Sequence, residues 1–307
     1  MSDRTLLDSL DSTVHASMSS AMDRQVGDRE PRWSRRNLAR AVHPRKVQPT
    51  LVLSVLVLLV VVLFAAFPSI LTAYNPYARD LTNILAEPSF AHPFGTDSLG
   101  RDLFTRFVFG TRTTLVAALL ALTIGVSVSI AIGLLAGYFR GLVDEIVGRL
   151  IDVFLAVPGL LVALMLVTGL GFGIVNIAIA VGVSSIASLT RVLRAEVLRV
   201  RTSDFVTAAT HSGVRWYRIL RRHVLPHALG PVVALSALEF GGALLAISAL
   251  SFLGFGAQPP TPEWGALVSD GRTYLAYAWW LTTLPGLAVV LVVLATNRIS
   301  KFVESVR

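Results

Sequence analysis

The stretch LVLSVLVLLVVVLFAAFPSIL, Leu51–Leu71, decides the fold class, because it is apolar almost throughout and carries no charge. A helix of about 20 apolar residues is what the hydrocarbon core of a bilayer requires. The rest of the chain has the same character: 54% of its 307 residues are hydrophobic, and the mean hydropathy is +0.67. The sequence therefore predicts an all-α membrane protein.

Five further apolar runs follow, so we predict six transmembrane helices. The additional spans are Thr113–Gly137, Leu150–Gly169, Gly171–Leu189, Pro231–Phe252 and Ala276–Thr296. Gly169, Gly171 and Gly173 lie between the third and fourth spans, which predicts a tight hairpin there.

The arginines lie mainly on one side of this predicted bundle. With the N-terminus inside, the inside segments are 1–50, 138–149, 190–230 and 297–307, and each is basic. The outside segments contain only Arg79, Arg101, Arg106, Arg112 and Arg272. Basic residues that flank spans stay on the cytoplasmic side. Both termini are therefore predicted to be cytoplasmic, and the net charge of +8 reflects orientation in the bilayer, with no nucleic-acid partner expected.

Residues 1–50 form an Arg-rich cytoplasmic segment ahead of a six-span domain, residues 51–307. Because no apolar run lies near its start, we expect no signal peptide there, and residues 1–30 are predicted to be disordered. A basic cluster follows, and we expect it to meet anionic membrane lipid. Its members are Arg32, Arg35, Arg36, Arg40, Arg45 and Lys46.

The outer loop, residues 72–112, is long and interrupted by prolines. Asp97 or Ser98 is placed to cap a short helix in its second half. That helix is predicted to run to about Phe109, with Leu99, Leu103 and Phe107 on one face. We expect it either to lie on the outer membrane surface or to pack on the next span.

The cytoplasmic loop, residues 190–230, contains DFVTAATHSGVRWYRILRRHVLPH, Asp204–His227. Ser203 is placed to cap a helix beginning at Asp204, and Gly213 suits its C-terminal stop. A second helix is predicted from Val214 to about Val224, because Pro226 blocks continuation.

One face of the first predicted helix is smooth, because Phe205, Ala208, Ala209 and Ser212 follow at helical spacing. Alanines allow the close approach of a partner surface, so this helix is a candidate docking element. An ordinary linker between spans is the alternative that periodicity leaves open.

This loop also resembles the cytoplasmic coupling signature of ATP-binding cassette (ABC) importer permeases. That signature is Glu-Ala-Ala, three residues, Gly, nine residues, then Ile, one residue and Leu-Pro. The matching positions are Ala208, Ala209, Gly213, Leu225 and Pro226. Thr207 stands in place of the glutamate, and His223 in place of the isoleucine.

Longer segments resemble the C-type subunit of the dipeptide/oligopeptide (peptide/nickel) permease family. They are HPFGTDSLGRDLFTR (His92–Arg106), GYFRGLVDEIVGRLIDVFLAVPGLL (Gly137–Leu161), RVLRAEVL (Arg191–Leu198) and SALSFLGFGAQPPTPEWG (Ser248–Gly265). Ile247 departs from the pattern, in which a glutamate is expected.

The resemblance implies a type I ABC importer permease fold and a multi-pass subunit of the bacterial plasma membrane that imports peptides. The implied partners are a homologous second permease, two ABC ATPase subunits that bind ATP and Mg, and an extracytoplasmic substrate-binding protein. The implied ATPase-coupling residues are Phe205, Thr207, Ala208, Ala209, Gly213, Leu225 and Pro226. The substrate stays open among dipeptides, longer peptides, glutathione and nickel complexes.

The sequence contains no catalytic constellation. A P-loop needs Gly-Lys before Ser or Thr, whereas the only lysines, Lys46 and Lys301, follow Arg45 and Ser300. We therefore expect no enzymatic activity and no cofactor in this chain. We expect no metal site either, because the chain lacks cysteine and no acid accompanies His223 and His227.

Glu239 is the acid deepest within a predicted span, where an ionised group is costly. It is interpreted either as part of the translocation path or as a hydrogen-bond partner of a neighbouring helix. An ion-gradient-driven secondary transporter is the alternative function, although Glu239 is nearly alone as a titratable group. Asp152 is expected to pair with Arg149.

Gly133 and Gly137 form a pattern of small residues in the second predicted span, and Gly241 and Gly242 interrupt the fifth. Small residues let helices approach closely. The sequence leaves open whether they serve a partner's interface or this chain's own bundle.

Overall fold

The computed structural model describes residues 49–305, which form helices joined by irregular loops. The N-terminal segment predicted to be disordered, with its basic cluster, lies outside these residues. The helices are α1 (Pro49–Ala66), α2 (Pro68–Leu71), α3 (Leu103–Phe139), α4 (Leu142–Leu155), α5 (Gly159–Leu170), α6 (Ile174–Ser184), α7 (Ile186–Arg201), α8 (Asp204–His211), α9 (Trp216–Ile219), α10 (Leu225–Phe252), α11 (Trp264–Gly271) and α12 (Trp280–Ser305).

Five helical stretches within residues 49–305 are long and apolar enough to cross a membrane. They are Pro49–Ala66, Leu103–Phe139, Ile174–Arg201, Trp216–Phe252 and Trp280–Phe302. The remaining span is the pair α4 and α5, whose axes meet at 90°. Pro158 precedes α5 directly and cannot continue a helix from α4. Counting this bent pair as one span gives the six spans predicted from the sequence.

The hairpin predicted between the third and fourth spans is confirmed. Helix α5 ends at Leu170 and α6 begins at Ile174. Gly171 and Gly173 have φ angles of 87° and 129°, which favour glycine. The Asn176 side chain closes the turn by donating to the carbonyl of Leu170 at 3.0 Å.

The helix predicted to begin at Asp97 or Ser98 is wrong. Asp97 instead holds a tight turn, because its Oδ1 accepts the backbone N–H groups of Leu99 and Arg101 at 2.9 and 3.0 Å. Asp102 caps the helix by accepting from Thr105 N at 2.7 Å. The result is α3, 37 residues long, which runs from the outer loop through the membrane without a break.

A buried carboxylate joins α11 to the outer half of α3. Glu263, which is fully buried, accepts from the N–H groups of Gly265 and Ala266 at the start of α11. It also accepts from Thr114 Oγ1 on α3 at 3.2 Å. The next residue, Trp264, stacks on Phe107 with ring centroids 5.3 Å apart. These contacts hold the loop between α10 and α12 against α3.

Glycines on α3 allow α7 to approach closely. A Cβ at Gly133 would lie 3.1 Å from the Leu193 side chain, and one at Gly137 would lie 2.7 Å from Val197 Cγ1. A Cβ at Gly241 of α10 would lie 2.6 Å from Thr296 Oγ1 on α12. These three glycines therefore serve the chain's own bundle. Gly242 has open space beside it.

Ion pairs connect α4 to α7. Asp152 lies 2.6 Å from Arg191, and Asp144 pairs with Arg194. The predicted pair of Asp152 with Arg149 is wrong, because Arg149 pairs with Glu145 one helical turn away. Sequence spacing indicates a partner for Asp152 only on its own helix. In the structure α4 bends away at Pro158 and packs beside α7, where Arg191 is the partner.

The close packing of α3 and α7 predicts a specific sensitivity to added volume. Gly137→Ala places a methyl group 2.7 Å from Val197 and 3.0 Å from the Arg194 carbonyl. We expect a loss of about 2 kcal/mol in stability, as for overpacked cores, seen as a lower thermal midpoint of the purified protein. Gly242→Ala, where nothing lies within 4 Å, is the matched control. Equal midpoints for the two variants would contradict this packing.

Candidate functional site

The candidate site is α8, the helix predicted to dock onto a partner, together with its flanking turns. Ser203 occupies the N-cap position, but its side chain accepts no hydrogen bond from α8. Its hydroxyl donates instead to the Val200 carbonyl, so the predicted side-chain cap is wrong. The predicted stop is confirmed, because Gly213 has a φ of 74°, and Val214 N–H donates to the Ala209 carbonyl at 3.2 Å.

The predicted termination at Pro226 is wrong. Helix α9 begins at Trp216, passes through a π-helical turn at Leu220–Val224 and continues directly into α10. Pro226 lies in the first turn of α10, where the regular hydrogen-bond pattern is already shifted by the π turn. Residues Trp216–Phe252 therefore form one 37-residue stretch, which carries the docking region straight into the fifth span.

Helix α8 has an inward face and an exposed face. Val206 is 2% exposed, and Ala209 is half-buried beside it. Phe205 is 42% exposed, and Ala208 and Ser212 are also exposed. Ala209 therefore does not belong to the predicted outward face, because a helix turns 100° per residue and the inner face includes Val206.

The inward face of α8 packs on a hydrophobic cluster, which we call the cytoplasmic cluster. Its buried members come from α3, α7, α8, the α9 segment and α10: Leu134, Leu193, Val197, Val200, Val206, Ile219, Leu220, Val224, Ala228 and Val232. Ala209 and Leu225 pack against it. A displacement of α8 therefore also displaces side chains of α3, α7 and α10, because close-packed interiors transmit strain.

Aromatic contacts tie α8 to α10. The rings of Phe205 and His227 lie 4.9 Å apart. His227 Nδ1 donates to the His223 carbonyl at 2.7 Å, which fixes the ring beside Phe205. Among residues 49–305, no group of three or more His, Asp or Glu side chains is arranged to hold a metal ion.

Thr207, which stands where the signature has glutamate, makes a short-range contact. Its hydroxyl donates to the Ser203 carbonyl at 3.2 Å, one turn earlier in the same helix. The side chain is exposed. The hydroxyl hydrogen of Thr207 is therefore used within α8. A partner meets one hydroxyl oxygen at this position, where the signature has a carboxylate.

Glu239 lies on α10 and faces α7. Ser188 Oγ donates to Glu239 Oε1 at 2.9 Å, and the Glu239 side chain is partly buried. This is the contact expected for a hydrogen bond between neighbouring spans. A role in the translocation path stays a prediction.

The sequence interpretation missed a group of charges at the outer end of α3. Asp97 pairs with Arg101 at 2.7 Å and lies 3.5 Å from Arg106, while His92 lies 2.8 Å from Asp102. The four-residue spacing of Asp97 and Arg101 was the available signal. That spacing does not by itself predict the ion pair, because Asp97 and Arg101 are joined by a tight turn that has no helical periodicity.

The relatives of the chain decide its family. The model of the family described as "Binding-protein-dependent transport system inner membrane component" matches residues 129–305. The chain belongs to this family. It is therefore a multi-pass component of the inner membrane and of a transport system rather than an enzyme.

Relatives with assigned functions align with most of the chain. It is 38% identical to the dipeptide transport system permease protein DppC of Alkalihalophilus pseudofirmus, over 77% of this chain and 78% of the relative. It is 39% identical to the glutathione transport system permease protein GsiD of Pectobacterium atrosepticum, over 68% and 70%. It is 37% identical to the di/tripeptide transport system permease protein DppC of Pseudomonas aeruginosa, over 76% and 79%.

Solved structures confirm the type I ABC importer permease fold. A chain of the MetNI methionine ABC transporter in an inward-facing conformation aligns with a TM-score of 0.51 at 18% identity, covering 64% of this chain and 96% of that one. A chain of an amino acid ABC transporter aligns with a TM-score of 0.51, also at 18% identity, over 66% and 95%.

The Glu239–Ser188 contact predicts a measurable coupling. In a double-mutant cycle of Glu239→Leu and Ser188→Ala, we expect a coupling energy of about 0.6 kcal/mol, typical of hydrogen bonds between membrane helices. Glu239→Gln, which keeps an acceptor oxygen, should leave the thermal midpoint and solute uptake unchanged. Lost uptake at an unchanged midpoint would contradict the structural role and favour the translocation path.

Proposed function

We propose that this chain is one transmembrane subunit of an ATP-driven importer of peptides. The observation that carries the proposal is the exposed face of α8 over the cytoplasmic cluster, in a chain whose relatives are named as permeases for dipeptides, tripeptides and glutathione. A helix that is exposed on one side and packed against three spans on the other can transmit the movement of a bound partner to those spans.

The energy for transport enters from partner subunits in this proposal. The sequence holds no Gly-Lys pair for a P-loop, so ATP and Mg are bound by two ABC ATPase subunits. Their contact is formed by Phe205, Thr207 and Ala208 on the exposed part of α8. Ala209, Gly213, Leu225 and Pro226 support that surface from below or shape the turns beside it.

The pathway is shared with a second, homologous permease, and an extracytoplasmic binding protein delivers the solute. ATP binding draws the ATPases together and moves α8. Since Val206 and Ala209 pack on the cytoplasmic cluster, α3, α7 and α10 move with α8. The bundle then opens outward, and hydrolysis resets it. Binding-protein engagement outside alters ATPase behaviour inside by the same coupling.

Substitutions at two neighbouring alanines, Ala208 and Ala209, distinguish a loss of docking from a loss of stability. Ala208→Trp adds bulk on the exposed face, so ATP-driven peptide uptake by the complete transporter in proteoliposomes should fall by about ten-fold or more, which corresponds to 1.4 kcal/mol. Its thermal midpoint should not change. Ala209→Trp adds the same bulk against the cytoplasmic cluster, so its midpoint should fall, as expected for about 1–3 kcal/mol of overpacking.

Ala91→Trp, at an exposed position of the outer loop, is the control for surface tryptophan and should behave as wild type. Wild-type uptake by Ala208→Trp would refute the docking role of α8. Uptake driven by a proton or sodium gradient without ATP would refute the importer proposal itself and favour a secondary transporter.

A further inference from the structure

A cavity of about 630 Å³ opens beside the outer end of α3. Its size lies within the range of small-molecule sites. The walls come from the outer loop, the segment after α10 and α11, and they include Arg79, Arg101, Arg106, Gln258, Asp270 and Tyr274. It is far from α8 along the chain, and the arginine distribution places it on the outer side.

Buried positive charge exceeds buried negative charge in one wall of this cavity. Arg101 and Arg106 are only 7% and 3% exposed, and both face the single carboxylate of Asp97. That carboxylate already accepts two backbone N–H groups and the Arg101 Nε. Among the described residues, Asp97 is the only carboxylate paired directly with these two guanidinium groups, and Asp270 acts on them from beyond ion-pair distance.

Arg106 retains unused hydrogen-bonding capacity. Its Nη1 donates to the carbonyls of Pro76 and Pro260 at 3.2 and 3.3 Å, which orients the guanidinium. Its Nε is buried without a hydrogen-bond partner among the described residues and is 3.5 Å from Asp97 Oδ2. A buried charged donor that lacks a partner is costly. An anionic group in the cavity would not reach this buried nitrogen, but it would balance the positive charge of the Arg106 guanidinium, which lines the cavity.

Asp270 places a negative charge in the same cavity. It is exposed near the end of α11, and no described cation lies within ion-pair distance of it. Asp270 therefore lies beyond ion-pair distance of Arg101 and Arg106, although its charge still acts on both guanidinium groups. Such a separation is complementary to a ligand that carries opposite charges at two ends.

We propose that this cavity binds a small zwitterionic solute, with the solute's carboxylate toward Arg101 and Arg106 and its ammonium group toward Asp270. The inference rests on the proposed function, because a peptide with free termini has this charge arrangement. The cavity is then a subsite of the permease itself, at the outer entrance of the pathway.

The test uses the complete transporter in lipid nanodiscs without its binding protein, and the probes are dialanine, N-acetyl-dialanine and dialanine amide. We expect calorimetry to show that dialanine binds about ten-fold more tightly than either blocked form, since each loses one charged contact. Asp270→Asn should bind dialanine and N-acetyl-dialanine equally while still discriminating against the amide. Glu87→Gln, an exposed outer-loop acid outside the cavity, should behave as wild type.

Three results would overturn the inference. They are equal binding of all three probes, discrimination against the acetylated form that survives Asp270→Asn, and no binding at all. If dialanine does not bind and Arg79→Gln weakens docking of the binding protein, the occupant is an acidic side chain of that protein. ATP-driven uptake measured with the same complex keeps the two proposals apart: uptake without probe binding overturns only the cavity site.

Discussion

The close contact of α3 with α7 is the constraint on which the rest of the structure depends. At Gly133 and Gly137 the two helices approach so closely that one methyl group would collide with Leu193 or Val197. In a bilayer, where lipid tails are as apolar as side chains, such packing is what holds spans together. It fixes α7, and α7 leads within two residues to α8.

Helix α3 connects the two ends of the molecule that carry function in this account. At 1.5 Å per residue, its 37 residues extend about 55 Å. Its outer end holds Arg106 and the contact with Glu263, whereas its inner end places Leu134 in the cytoplasmic cluster. The outer end is charged and the inner end is apolar. Solute recognition and force transmission can therefore use different chemistry on one rigid element.

Composition and hydropathy were sufficient to predict six spans, because the bilayer permits few alternatives, while the orientation inferred from the arginines stays a prediction. They could not predict the 90° bend at Pro158, since α4 is amphipathic and its first residues read as loop. Pro226 was mistaken for a terminator because a single sequence does not reveal a π turn. The outer turn at Asp97 was mistaken for a helix start, because a carboxylate can cap a helix or hold a turn with the same backbone N–H groups.

The position of helix α8 was predicted correctly, but its outward face was not, and its docking role stays a prediction. Spacing placed Phe205, Ala208 and Ala209 together, while the burial of Val206 turns Ala209 inward. The orientation of a short helix is set by which of its apolar side chains packs into a cluster, and this cluster includes Leu134 of α3, which is far from α8 in sequence. The sequence likewise could not predict that Asp270 and the arginines line one cavity, because they come from separate segments of the chain.

The most direct test of the central claim is a contact measurement at Ala208. The chain has no cysteine, so Ala208→Cys provides the single thiol of this chain, to which a short photo-activated cross-linker is attached before the complete transporter is assembled. We expect a cross-linked product with an ATPase subunit from Ala208→Cys and none from Ala91→Cys on the outer loop. Cross-linking only to lipid or to the chain itself, in a complex that still hydrolyses ATP and transports, would contradict it.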